Sequence, residues 1–228
     1  MIGERMRYLT NIKAVLFDVD GTLIDIRGRY TRAINDALVF YDFKKMKKEK
    51  ILELRRDGKN ALEILMTQVG KNEKLNLIEE KRRQFAVAKV SRIDKPFKNS
   101  ILTLKELKKK KKKIIIVSLR EKRSVLVEQL KKFRMNKYID GIFISNESPF
   151  GKDQDEMKKS LIQKILKRYG LKSKECVMVG DTLADIRGGK RCGLGAIGVT
   201  TGLAGKKLLQ KEKAMVIDDI SQLLEIVR

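Results

Sequence analysis

Five short apolar runs, separated from one another by helical patterns, set the tightest limit on how this sequence can fold. They are AVLF at 14–17, IIIVS at 114–118, GIFIS at 141–145, CVMVG at 176–180 and GAIGV at 195–199. Strands apolar along their whole length have both faces buried, unlike a hairpin with one wet face. Between the last four lie amphipathic stretches: SVLVEQLKKF, then MKKSLIQKILKRYG, closed by Gly170. SILTLKELKKKKKK precedes IIIVS and offers Leu104 and Leu107 to a core, and DISQLLEIV reads as a last helix. Alternating strands and helices predict an α/β fold with a parallel sheet covered on both faces. In such a fold the ligand crevice lies outside the carboxyl ends of the strands.

One segment breaks the alternation. From 27 to 95 only helical patterns occur, beginning with RYTRAINDALVFY, where Ala33, Ala37 and Phe40 recur at helical spacing. KKEKILELRRDGKNALEILMTQVG reads as two helices hinged at Asp57-Gly58, the second closing at Gly70. LNLIEEKRRQFAVAKV supplies another helical pattern, and Pro96 marks the far boundary. The chain therefore divides into an α/β unit, 1–26 and 96–228, and an all-helical insertion, 27–95.

Histidine is absent, which excludes Ser-His-Asp triads, Cys-His pairs and His-based zinc sites. Acid–base chemistry must come from carboxylates, Lys, Arg and hydroxyls. Only two cysteines occur, Cys176 and Cys192, a sparseness that suits a reducing cytoplasm and free thiols. No apolar run approaches the roughly 20 residues of a membrane helix, and MIGERMRYLTNIK does not read as a secretory leader. No membrane partner is expected. The balance of 53 Lys+Arg against 29 Asp+Glu gives +24, a charge that attracts anions of any kind. With 6% aromatics and no recognisable nucleic-acid module, a specific nucleic-acid partner is not expected. The run Lys108 to Lys113 reads as a solvated helix terminus at the negative end of the dipole.

Against that charge, carboxylates concentrate where strands end. AVLF runs into Asp18-Val19-Asp20-Gly21-Thr22, with Asp25 close behind; IIIV ends in Ser118; CVMVG ends in Asp181, with Asp185 four residues on. If a helix starts after Asp181, both Asp181 and Asp185 can face a pocket shared with Asp18 and Asp20. A hard cation with oxygen ligands is the natural partner of such a set, and Mg²⁺ fits it best because it also binds substrate phosphate. Asp25 reads as a cap for the segment that follows.

DVDGT, Ser118, a helix-borne lysine and GDTLAD, in that order, resemble the four motifs of the haloacid dehalogenase-like hydrolase superfamily. Within it the chain looks like phosphoglycolate phosphatase-like phosphatases with a helical cap, and DIRGGKRCGLGAIGVTTG resembles the segment after the fourth motif. The resemblance covers about 13–26 and 96–228, and 27–95 falls where the family's cap sits. It implies a Rossmann-like three-layer core with a small all-helical cap domain. It also implies a Mg²⁺-dependent phosphatase acting on a small phosphorylated metabolite. Asp18 would be the nucleophile, forming an aspartyl-phosphate, and Asp20 the general acid and base. Asp18, Asp20 (through its carbonyl), Asp181 and Asp185 would serve the metal, and Thr22 and Ser118 the phosphoryl oxygens. Asp20 rather than Tyr at its motif position matches the phosphatases and not the true dehalogenases. Three lysines compete for the third motif, Lys152, Lys158 and Lys159. Relatives without a Pro after the lysine place it about twelve residues before the helix-closing Gly, which favours Lys158. Arg120, two residues past Ser118, falls where relatives contact substrate. Arg56 and Lys59 belong to a cap loop, RRDGKN, whose Gly58 matches a loop that lowers onto the substrate. The same motifs would also serve a phosphomutase of sugar phosphates, and the charge alone would also suit a polynucleotide-end phosphatase.

Overall fold

The computed structural model describes residues 9–71, 73–88, 93–149 and 151–227. Most of the stretch expected to carry no leader (1–8), the end of the fourth helical pattern (89–90) with the two residues after it, and Phe150 lie outside the described residues. Six parallel strands form one sheet in the order β5-β4-β1-β6-β7-β8. They are β1 (Ala14–Phe17), β4 (Lys113–Ser118), β5 (Gly141–Ile144), β6 (Cys176–Gly180), β7 (Gly195–Val199) and β8 (Met215–Ile217). β1 is central, pairing Leu16 with Ile115 on one side and Met178 on the other. This is the α/β, Rossmann-like fold.

Successive side chains alternate across the pleat, so each strand feeds two apolar layers. Val15, Phe17, Ile114, Ile116, Val177 and Val179 pack on one face with Leu104 and Leu107 of α5 (Ser100–Lys109) and Leu126 and Leu130 of α6 (Arg123–Lys132). Leu16, Ile115, Val117 and Met178 pack on the other with Leu161, Ile162 and Ile165 of α7 (Gln154–Tyr169). Asp153 caps α7, accepting from the backbone N–H of Asp155 and Glu156, and Gly170 ends it at φ 59°, the left-handed conformation glycine adopts without strain.

Among the described residues, four helices occupy the interval between β2 (Ile24–Asp25) and β3 (Lys95–Pro96): α1 (Arg27–Phe40), α2 (Lys48–Arg56), α3 (Ala61–Val69) and α4 (Leu75–Ala88). They enclose an apolar cluster of their own, including Ile34, Leu38, Ile51, Ile64, Leu65 and Ile78. Asn60 and Glu63 form a reciprocal capping box that starts α3 just past the Asp57-Gly58 hinge. Asp25 accepts the backbone N–H of Arg27 at 3.0 Å at the start of α1. β2 and β3, the outgoing and returning chain, pair antiparallel through Ile24 with Pro96 and Asp25 with Lys95.

Four features escaped the pattern reading. β8 is three residues long and α9 (Lys206–Lys211) six, too short for either period to register. The β2–β3 pair is a contact between segments about seventy residues apart. DISQLLEIV divides into a 3₁₀ turn at Ile220–Gln222 and the short α10 (Leu223–Ile226). Cys176 and Cys192 are both free thiols, and no described helix is long and apolar enough to cross a membrane.

Leu16 is fully buried in the central strand. Leu16→Ala leaves a cavity between the sheet and α7, and we expect a loss of about 2–5 kcal/mol. In denaturant titrations this lowers the midpoint with the slope unchanged.

Candidate active site

The carboxyl ends of β1, β4 and β6 meet at one edge of the sheet. Asp18 follows β1 directly and extends the ladder, its N–H donating to the Val179 carbonyl at 2.9 Å. Asp181 follows β6, and Asp185 lies in the first turn of α8 (Leu183–Arg191). Thr182 caps that helix: its hydroxyl accepts from the Asp185 N–H, while its own N–H and hydroxyl donate to Asp185 Oδ2 at 3.1 and 2.6 Å. The cap thereby aims the other oxygen, Oδ1, into the site. Asp181 and Asp185 are fully buried and Asp18 is 7% exposed.

These three carboxylates each offer an oxygen within 4.8 Å of the others. Glycine makes the crowding possible. A Cβ on Gly21, Gly180 or Gly202 would stand 2.3, 2.2 or 2.0 Å from an atom of the Asp181 or Asp185 carboxylate. Gly21 also needs φ +89°. Leu203 N–H donates to Asp181 Oδ2 at 2.8 Å, and the Thr22 hydroxyl lies 3.5 Å from Oδ1.

Lys158 is the one positive group planted inside this cluster among the described residues. Its Nζ donates to Asp18 Oδ1 at 2.6 Å and to the Val117 carbonyl at 2.9 Å, and pairs with Asp185 Oδ1 at 2.7 Å. Gly188 seats it: a Cβ there would come within 2.7 Å of the Lys158 Cβ, so α8 closes on α7 only because that atom is missing. The rival lysines point elsewhere. Lys152 pairs with Glu147 and Lys159 with Glu156.

The electrostatics follow from burial and crowding. Burial pushes the Asp18 carboxyl well above the usual range; Lys158 opposes this, while Asp185, Asp181 and Asp20 reinforce it. Asp181 is pushed up to about 7, by burial first and by Asp185 second. Burial would lower the Lys158 ammonium, but Asp18 and Asp185 outweigh it and hold it charged. Three buried carboxylates crowded together in a cradle of glycines are a donor set that could hold a hard divalent cation. Ligands on opposite sides of such an ion stand about 4–5 Å apart, twice a bond of roughly 2.0–2.6 Å.

Asp20 behaves differently. Its carboxylate turns away from the cluster to Arg120, whose Nε donates to Oδ2 at 2.8 Å and whose Nη2 donates to Oδ1 at 2.5 Å. Arg29 of α1 adds a bond at 3.0 Å. Burial would raise Asp20, but the two guanidiniums hold it well below the ordinary carboxylate range. Arg29 also grips the buried Asp94 through both its oxygens, at 2.9 and 3.0 Å, and the Gln129 amide joins Asp94 at 3.1 Å. Ser118 ends β4, 2% exposed, its hydroxyl accepting from Arg120 N–H at 3.3 Å.

The two cap-loop candidates lie apart from this edge. Arg56 and Lys59 are exposed, and neither lines the cavity between the insertion and the sheet edge. The Arg56 carbonyl instead accepts from Gly205 N–H at 3.1 Å, and Gly58 packs against Leu208, so this loop docks onto α9. Arg55, one residue earlier, turns inward and lines the cavity. A shift of one residue rotates a helical side chain by about 100°, and α2 has its buried positions at Ile51 and Leu54. That phase, carried one residue past Leu54, is the signal that would have found Arg55.

A parallel sheet with paired acidic motifs and a buried lysine at its carboxyl edge defines a hydrolase built around carboxylates. The chain belongs to the haloacid dehalogenase-like hydrolases, whose family profile matches residues 15–199. It is 28% identical over 217 residues to pyrophosphatase PpaX of Bacillus cereus strain AH820, covering 95% of this chain and 96% of that one. Among solved structures, a protein described as a predicted phosphoglycolate phosphatase from Haemophilus somnus superposes with a TM-score of 0.76 at 19% identity, covering 96% of this chain and 99% of that one. A haloacid dehalogenase-like family hydrolase from Streptococcus pneumoniae gives 0.77 at 20% identity, covering 95% and 98%.

The raised Asp181 gives a pH signature. A carboxyl held at about 7 when folded and near 3.8 when unfolded binds its proton more tightly in the native state. Its contribution to stability is therefore lost as pH rises from near 3.8 through about 7. We expect the metal-free protein to melt lower as pH rises across that window, and added Mg²⁺ to restore the loss most strongly above it. Asp181→Asn should flatten both effects, read by thermal melts with Mg²⁺ and with chelator.

Proposed function

We propose that the protein is a Mg²⁺-dependent phosphatase of small phosphorylated metabolites that works through an aspartyl-phosphate on Asp18. The observation that supports it most is the placement of Asp18: a carboxylate fixed by Lys158 at 2.6 Å, within 4.8 Å of two further carboxylates. The curated Bacillus relatives are named pyrophosphatases, and a phosphoanhydride is opened by the same displacement at phosphorus.

Asp18 attacks phosphorus, forming the acyl phosphate bond as the ester P–O bond breaks. The departing oxygen takes a proton from Asp20, which must first release Arg120 and Arg29 and take up a proton from solvent. Asp20 then accepts a proton from water as that water attacks the acyl phosphate, freeing inorganic phosphate and restoring Asp18. Lys158 holds Asp18 in place and bears charge against the phosphoryl oxygens, with Ser118 and Thr22 at the same edge. Asp18, Asp181 and Asp185, with the Asp20 carbonyl, would hold Mg²⁺, which supplies neutralising charge to the transferring group. The insertion 27–95 acts as a cap over the site, sheltering the acyl phosphate from bulk water.

The lysine run contributes nothing to this edge. Lys113 begins β4 whereas Ser118 ends it, and Lys108 and Lys112 are engaged by Asp140 and the Ile12 carbonyl. The run therefore takes no part in holding the phosphoryl group at this edge.

Phosphate release from phosphorylated metabolites and pyrophosphate, measured with Mg²⁺ and with chelator, tests the proposal. We expect release to need the metal and to fall by ~10³-fold or more in Asp18→Asn. Lys158→Met should fall comparably while still folding. Metal-independent release, or full activity in Asp18→Asn, would overturn the assignment.

A further inference from the structure

All six strands of the sheet are parallel, so every segment that leads into a strand lies at the edge opposite the carboxylates. These segments are 10–13, 108–113, 131–140, 167–175, 190–194 and 211–214. Together they carry nineteen Lys and Arg and three acids, so two-thirds of the formal +24 falls at this amino edge. The last turn of a helix favours cations, but two of the positions are not explained by that preference. After α5, Lys111 N–H donates to the Lys108 carbonyl at 2.9 Å and Lys112 N–H to the Leu107 carbonyl at 3.0 Å; Arg134 and Met135 repeat this turn after α6. Lys111 and Arg134 both sit at φ 57°, a left-handed conformation that glycine takes without strain, as it does in the same turn at Gly193. Each turn thus holds a cation where glycine would serve the backbone better.

Near the middle of the edge the starts of β1 and β4 lie side by side, Lys113 N–H donating to the Lys13 carbonyl at 2.8 Å. A cleft of about 490 Å³ opens there, lined by six lysines and one acid, Asp140. Asp140 is taken by Lys108 through both its oxygens, at 2.8 and 2.9 Å. Among the described residues neither Lys110 nor Lys111 has an acidic partner. Lys112 donates to the Ile12 carbonyl at 2.7 Å, and its ammonium is held below the ordinary range, by burial first and by the charge of Lys110 second. The cleft is a basin of positive potential, about 17 Å from Ser118 along β4 at roughly 3.3 Å per residue.

The chemistry of the lining names the anion. Sixteen of the nineteen cations are Lys, compact charges that meet phosphate from any direction and lack the fork that reads a base edge. A concave cleft admits a single strand, whereas a duplex is read by an element that protrudes into its groove. A lipid surface would call for an apolar wedge, and none of the exposed large hydrophobic residues falls in these segments. We propose that the amino edge of the sheet is a second binding surface, which holds the phosphodiester backbone of a single-stranded nucleic acid without reading its sequence. Its centre is the turn Lys108–Lys113, with Arg134 beside it. The surface uses none of the residues of the phosphatase reading and stands independently of it.

Fluorescence polarisation of labelled oligothymidylate, oligoadenylate and mixed-sequence RNA of about 20 nucleotides tests this across a salt series. We expect all three to bind at roughly 0.15 M salt with similar affinity, weakening steeply as salt rises. Lys111→Gly with Arg134→Gly should weaken binding about fivefold or more and make the log–log salt slope shallower by about 1.4, the change for two lost phosphate contacts. The same double variant should melt no lower than the parent, because glycine relieves both turns, so weaker binding is not a folding defect. Lys44→Gln with Lys45→Gln on the insertion removes the same charge from a different face and should cost less than about half as much binding free energy. Equal losses in the two double variants would assign the binding to net charge alone and overturn the inference. So would no binding at roughly 0.15 M salt, a strong preference for one sequence, or tighter binding to phosphatidylserine vesicles than to any oligonucleotide.

Discussion

Three carboxylates crowded at the end of a buried sheet repel one another, and the fold around them is organised to bear that repulsion. Lys158 reaches Asp18 and Asp185 from within the protein, and its own charge is retained only because those two acids surround it. Neither side is stable alone: an isolated buried ammonium or carboxylate would shift towards neutrality. The packing serves this arrangement. Gly188 lets α7 and α8 approach until Lys158 reaches the strand ends, and Gly21, Gly180 and Gly202 leave room around Asp181 and Asp185. Thr182 directs Asp185 while also starting α8. The site is therefore continuous with the core, sharing its backbone turns and helix ends.

Asp20 shows a second balance, set by longer-range partners. Two guanidiniums hold it, and one of these, Arg29, is itself gripped by Asp94 near the point where the chain returns from the insertion. Gln129 of α6 closes the network by accepting from Arg120 and donating to Asp94. The group proposed as acid and base is thus tied to both crossings between insertion and sheet. Any rearrangement that moves Arg29 changes what Asp20 is bonded to.

Much of this was legible in the chain. Apolar runs with both faces buried, separated by amphipathic helices, leave few alternatives to a parallel sheet, and Asp18, Ser118 and Asp181 stand at strand ends because the runs stop there. The hinge at Asp57-Gly58 and the stops at Gly70 and Gly170 were readable because local chemistry dictates them. What escaped depends on distance along the chain or on angular phase. Arg120 was legible as a candidate from its place after Ser118, but its partners were not: Arg29, Asp94 and Gln129 join it and Asp20 from separate elements with no motif to link them. Arg55 and Arg56 are equivalent by composition and differ only in the direction their side chains leave the end of α2. β8 and α9 are too short to carry a period.

The pairing of β2 with β3 has a mechanical meaning. The two crossings to the helical insertion are hydrogen-bonded together, Ile24 against Pro96 and Asp25 against Lys95, and Arg29 cross-links them again through Asp94. Two separate strings would let the insertion slide and tilt freely over the strand ends. A ribbon resists shear between its strands and yields more easily to bending and twisting. The insertion is therefore tethered by a paired ribbon rather than by two independent strings, and the ribbon's softer deformations are bending and twisting.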